Sequence, residues 1–319
     1  MPLLSQSPYR RPKWLLNGHL ETIYPALFRK VSLFPSHSEK IQTPDEDFLE
    51  LDWYRQSSSK LVIVSHGLEG NNKRPYVLGM VRAILNAGMD ALAWNYRGCG
   101  ENLNSQPIFY HSGATYDLET VVNHAATQYP EIYLVGFSLG GNLTLKFLGE
   151  KGSSLPMLKK GVAISVPLHL GDSCDQISRG ENKLYAKRFL KTLIQKVERK
   201  SRIFPEIIPP KPLTEIKTLR DFDNWITGPL HGFRDADDYY QTNSSLHFLD
   251  KIEIPTLILN AKNDPFLSPT CFPEIQAKKH QKIILETPEH GGHVGFFTHH
   301  PKKTYYSEFR AVEFIQSDF

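Results

Sequence analysis

Along this chain the apolar residues come in runs of strand length, separated by stretches in which they recur at helical spacing. The runs fall at 61–66 (LVIVSH), 90–95 (DALAWN), 132–137 (IYLVGF), 161–166 (GVAISV), 255–260 (PTLILN) and 281–286 (QKIILE). Helical spacing fills 73–87, 114–128, 140–149, 269–279 and 303–317. A strand covered on one face alternates apolar and polar residues; these runs are continuous, so both faces must be covered. Strand and helix in alternation predict βαβ units, and hence a mostly parallel central sheet with helices on both faces. EKIQT and FLELDWY, joined by PDED, read instead as an antiparallel hairpin at one edge.

One gap breaks the rhythm. About 90 residues separate the strand ending near 167 from the one starting at 255, too many for an ordinary crossover. The expectation is a single domain over 1–319 with an inserted helical cap or lid at 170–232, lying over the C-terminal edge of the sheet. Beyond it, RDADDYY at 234–240 reads as the capped start of a helix.

Composition narrows the class without naming a function. With 319 residues, 40% of them hydrophobic and 22% charged, the chain can bury a large core and does not read as disordered. No apolar run approaches the roughly 20 residues of a membrane helix, and MPLLSQSPYRRPKW lacks the continuous apolar stretch of a secretory signal. Cys99, Cys174 and Cys271 are widely spaced and odd in number, which suggests reduced thiols, no metal site and a cytoplasmic protein.

Charge is uneven. Residues 183–202 hold eight Lys or Arg and one acid, a local +7, so the remainder carries −4 against a total of +3. Leu190, Leu193, Ile194 and Val197 form an apolar stripe opposite those cations. Two readings stand: a cap helix with one solvated face, or a surface attracted to anionic lipid or an acidic acyl donor. Without aromatic interleaving or a known module, nucleic acid is not expected as a partner.

The chemistry centres on GFSLG at 136–140. It fits G-x-S-x-G after a predicted strand and before a predicted helix, where the turn lifts a serine above the sheet at a helix N-terminus. A dinucleotide-binding turn would need G-x-G-x-x-G in the first βαβ unit, and glycines at 136, 140 and 141 break that spacing. Ser138 is thus the candidate nucleophile. A serine hydroxyl needs a base and an acid that follow it in the order acid, then histidine. Asp264 ends the 255–260 run in NDPFL, and His293 stands among glycines in EHGGHVGFF after the last run. Glu286 and His290 are their rivals. SHGLEGNN at 65–72 ends an early strand in a turn; its Leu68 N–H, with the N–H of Leu139 after the serine, is the expected oxyanion hole. His66 is expected to buttress that turn.

Assembled, these pieces resemble the α/β-hydrolase superfamily, and more narrowly the YheT-like esterases and their eukaryotic α/β-hydrolase-domain relatives. The resemblance runs through NGHLETIYPALFRK at 17–30, HGLEG at 66–70, NYRGCG at 95–100, GFSLGGN at 136–142, DADDYY at 235–240, NDPF at 263–266 and GGHVGFF at 291–297. It implies an α/β-hydrolase fold and a Ser–Asp–His triad on Ser138, Asp264 and His293. The activity implied is cleavage of short- to medium-chain carboxylic esters through an acyl-enzyme, with no cofactor. Acyl transfer to an alcohol and lipid or phospholipid hydrolysis are the alternatives. A non-catalytic binding module would usually lose a triad member, and this chain keeps a full set. The partner expected is a small ester or lipid-like molecule; membrane insertion is not expected, and oligomeric state stays open.

Overall fold

A computed structural model describes residues 3–4, 7–208, 213, 215–299 and 304–318. Among them, nine strands form one sheet: β1 (Leu3–Leu4), β2 (His37–Gln42), β3 (Phe48–Tyr54), β4 (Lys60–Ser65), β5 (Asp90–Asn95), β6 (Glu131–Phe137), β7 (Leu158–Ile164), β8 (Thr256–Leu259) and β9 (Ile283–Glu286). Their spatial order is β1-β9-β8-β7-β6-β4-β5-β3-β2. Pairing is parallel from β1 through β5, while β3 runs antiparallel to β5 and β2 antiparallel to β3. The parallel sheet and its edge hairpin are as the periodicity predicts.

The helices are α1 (Gly18–Phe28), α2 (Pro75–Asn86), α3 (Thr115–Ala126), α4 (Leu139–Lys151), α5 (Leu170–Ile177), α6 (Lys183–Ile203), α7 (Leu219–Phe222), α8 (Gly228–Leu230), α9 (Ala236–Asn243), α10 (Glu274–Lys279) and α11 (Tyr306–Gln316). Two cores explain why the strands are apolar throughout. Leu61 and Ile63 of β4 pack with α3 and α4 on one face, whereas Val62 and Val64 pack with α2 and α11 on the other. Full burial of each such side chain stabilises by about 1.5–3 kcal/mol, and a strand placed this way spends both of its faces on the core.

Differences from expectation have local causes. The strand read as 161–166 stops at Ile164, because Ser165 turns to φ +54° and Val166 N–H donates instead to Asn260 Oδ1 at 2.7 Å. The helix read as 269–279 is a short 3₁₀ turn followed by α10, with Pro273 between them unable to supply an N–H. Strand β9 starts late because His280 Nδ1 accepts from the N–H groups of Lys282 and Ile283. The helix read as 303–317 spans 306–316, and residue 303 lies outside the described residues. Helix α1 was not expected. Asn17 caps it by accepting from Leu20 N–H, and it tolerates Pro25 in its interior.

The long connection from β7 to β8 carries α5 to α9, a π-helical turn at Asp223–Thr227 and a 3₁₀ stretch at Ser245–Lys251. Residues 209–212 and 214 within it lie outside the described residues. Its helices share a core of their own, in which Leu190, Val197, Leu219 and Phe222 meet Phe266 from the loop after β8. As expected for 234–240, Asp235 caps α9 by accepting from Asp238 N–H at 2.8 Å.

Candidate active site

Ser138 sits between β6 and α4 at φ +53°, ψ −117°, a backbone conformation that costs a non-glycine residue about 1–3 kcal/mol. The turn is tight enough to explain its glycines. A Cβ on Gly140 would come within 2.5 Å of the carbonyl oxygens of Ser65 and His66, and one on Gly136 would run into the carbonyl of Gly140. Leu139 opens α4, so its N–H has no partner within the helix.

Two other strand ends bring their side chains to this serine. Asp264 lies on the loop after β8 and His293 on the loop after β9. His293 Nε2 is 2.9 Å from Ser138 Oγ, and its Nδ1 is 2.8 Å from Asp264 Oδ2. A carboxylate only accepts, so Nδ1 carries the proton and Nε2 is left to accept from the serine hydroxyl. Asp264 is buried, and its other oxygen accepts from Phe266 N–H at 2.9 Å. Phe266 also lies against the imidazole, ring centroids 4.2 Å apart.

The rival residues are elsewhere. Glu286 binds Ser7, Tyr306 and Arg310 behind the sheet. His290 is turned toward Asn263 and Glu21.

Helix α1 supports both loops, and sequence reasoning missed this. Thr22 Oγ1 accepts from His293 N–H at 2.8 Å, and buried Glu21 accepts from Gly291 N–H and from Asn263 Nδ2. Burial raises the Glu21 carboxyl above its usual range. Gly18 presses on the loop itself, since a Cβ there would overlap the Asn263 carbonyl. The available signal was Asn17 three residues before Leu20, an N-cap pattern hidden by the proline that follows.

The turn after β4 faces Ser138. His66 is fully buried; its Nδ1–H donates to Gly67 O at 2.8 Å and its ring packs on Tyr96. Burial depresses its pKa to about 3, so it is neutral and structural, the buttress expected. Around it the N–H groups are allocated. Gly67 N–H donates to Tyr76 Oη and Glu69 N–H to Tyr110 Oη, both at 2.9 Å. Among the described residues, the N–H groups of Leu68 and Leu139 have no protein acceptor.

Helix α6 is fastened to this turn. Lys196 Nζ is 2.7 Å from Glu69 Oε1, and the same oxygen accepts from Tyr110 Oη. Lys200 is fully buried and donates to the carbonyls of Asn104 and Gln106. Two of the basic segment's eight cations thus point inward, and its apolar stripe packs against Phe222 and Phe266.

Ser138 and His293 open onto a cavity of about 440 Å³, with Leu68, Leu170, Phe189 and Phe222 among its largely apolar walls. Its lining also includes a polar cluster: Asp223 accepts from Tyr240 Oη and Thr227 Oγ1, and burial pushes its pKa up to about 6. Among the described residues, no group of three or more His, Cys, Asp or Glu could hold a metal.

A hydrogen-bonded serine, histidine and aspartate thus meet at three strand ends of a mostly parallel sheet. The family model described as the α/β hydrolase fold matches residues 60–300, and the chain belongs to that family. YheT of Escherichia coli (strain K12), by name an esterase, is 34% identical over 293 residues, covering 88% of this chain and 84% of that one. Phospholipase ABHD3 of Mus musculus is 31% identical, covering 88% and 71%. The monoacylglycerol lipase of Saccharomyces cerevisiae (strain ATCC 204508 / S288c) is 29% identical, covering 83% and 60%. Among solved structures, the esterase Pf2001 of Pyrococcus furiosus superposes with a TM-score of 0.60 at 17% identity, covering 90% of this chain and 95% of that one, a likeness of fold. The chain is an esterase- or lipase-type hydrolase of ester bonds.

Proposed function

We propose that the protein cleaves carboxylic esters of short- to medium-chain acyl groups through an acyl-enzyme on Ser138. The chain of hydrogen bonds from Ser138 Oγ through His293 to Asp264, made by three separate loops, carries this reading. His293 Nε2 takes the hydroxyl proton as Oγ attacks the ester carbonyl, and Asp264 stabilises the imidazolium that forms. The oxyanion falls to the N–H groups of Leu68 and Leu139, which no acceptor among the described residues occupies. His293 then protonates the departing alcohol, the C–O bond breaks, and water repeats the sequence to release the acid. Residues 170–232 act as the cap, since α5, α6 and α7 supply walls of the same cavity. Three free thiols suit a cytoplasmic setting.

Replacing Ser138 by Ala is expected to lower kcat on a reactive ester by on the order of 10⁴–10⁶ without unfolding the protein. Turnover near the wild-type rate by that variant would refute the reading. Product analysis with added alcohol separates hydrolysis from acyl transfer: free acid is the expected product, and a new ester as main product would make it a transferase.

A further inference from the structure

The cavity's rim is marked by residues that both line it and face solvent: Ile23, Ala26 and Leu27 of α1, together with Arg74, Arg188 and Thr192. Helix α1 is inside out. It buries Gly18, Glu21 and Pro25 against the catalytic loops, while Leu20, Ile23 and Leu27, one helical face, point to solvent. Leu27 is 61% exposed and Phe28 65%, and exposed Trp14 and Leu16 precede them. Scattered exposed side chains need no explanation, but a continuous outward stripe beside a cavity mouth marks a contact surface.

The neighbouring start of α6 is cationic. His19 Nδ1 is 3.2 Å from Tyr185 Oη, which joins α1 to the first turns of α6. There Lys183, Lys187, Arg188 and Lys191 are all exposed, beside Leu184 at 75% exposure. The nearby acid is Glu181, 3.4 Å from His19. A second copy of the chain would set these cations against themselves in a two-fold contact. An anionic lipid surface meets both elements at once, apolar residues entering the headgroup boundary and cations facing the headgroups.

We propose that the rim formed by α1 and the start of α6 docks on anionic lipid bilayers, so that an acyl ester enters the cavity directly from the lipid. No helix among the described residues is long and apolar enough to cross a membrane, and docking needs none. The proposal rests on the ester-hydrolase reading for what the lipid delivers, but binding is measured without turnover, so the two can fail separately.

The test is flotation of the full chain with phosphatidylcholine vesicles, with and without phosphatidylserine, at low and high salt. The wild type is expected to bind the anionic vesicles, to be released by salt, and to bind neutral vesicles poorly. The doubles Leu20→Asp/Phe28→Asp and Lys187→Glu/Lys191→Glu are each expected to weaken partition about tenfold or more. Thermal unfolding checks their fold, with Leu20→Ser/Phe28→Ser as the milder substitute if the aspartates do not fold. No binding by the wild type, equal binding to neutral vesicles, or binding unaffected by both doubles would each overturn the proposal. So would a concentration-dependent dimer abolished at Leu20 and Phe28, which would assign the face to a second copy.

Discussion

The turn that carries Ser138 and helix α6, which borders the same cavity, are held by different kinds of contact. At the turn the constraints are steric and close in sequence: Gly136 and Gly140 leave no room for a Cβ, and Leu139 starts a helix whose first N–H groups are unspent. In α6 they are polar and remote. Lys196 reaches Glu69 and Lys200 reaches Asn104 and Gln106, each about a hundred positions away in the chain. Glu69 follows Leu68 at φ +51°, and its carboxylate accepts from both Lys196 and Tyr110 one residue beyond the Leu68 N–H. The difference is that distant polar contacts tie α6 to the turn after β4, whereas the Ser138 turn is fixed by its own neighbours.

Acid should strain both regions, and most strongly of all. His66 lies behind the turn, while His111, before α3, and His231, after α8, face each other with ring centroids 4.4 Å apart. Burial depresses His66 to about 3 and His231 to about 4, and puts His111 well below its usual value. A histidine with a depressed folded pKa contributes stability present above the unfolded value near 6.5 and lost as pH falls below it. From pH 6 down to about 4, unfolding therefore takes up two to three protons at these rings, a slope of about 4 kcal/mol per pH unit at most. Asp117 and Asp223 oppose it in the same range, since burial raises their carboxyls to about 6. Denaturant melts across that range measure it. A slope left unchanged by His231→Gln would mean that this ring is accessible to protons in the folded protein.

Lys196→Met tests the link between the regions. It leaves the Glu69 carboxylate half-paired in a buried place, and should cost about 3–5 kcal/mol of stability. If Lys196 positions the turn, kcat should also fall about 10–100-fold with KM little changed, because one oxyanion donor is worth about 10²–10³. Pairing it with Glu69→Gln should restore stability more than kcat. A stability loss with unchanged kcat would make this contact of α6 structural and nothing else. At the small end, Arg199→Ala on the outer face of α6 should change stability by no more than about 0.5 kcal/mol, readable in the same melts.

What could be read from the sequence follows the same division. Strands buried on both faces have a continuous apolar signature, so the sheet was legible, as was the capped start of α9 at Asp235. Ser138, Asp264 and His293 were legible because each follows a strand that announces itself, and the rivals Glu286 and His290 were separable only by geometry. Helix α1 was not legible: its outward face is apolar, its inward face holds Gly18, Glu21 and Pro25, and a proline interrupts it. Nor were the inward turns of Lys196 and Lys200, since a lysine that meets a carboxylate or a carbonyl from a distant loop looks, in sequence, like any solvated cation.

The account turns on an activated serine, and intact mass after reaction with a fluorophosphonate probe tests that most directly. One adduct, mapping to Ser138 and absent from Ser138→Ala, is the result predicted. An unmodified protein, or an adduct on another residue that survives the substitution, would contradict it.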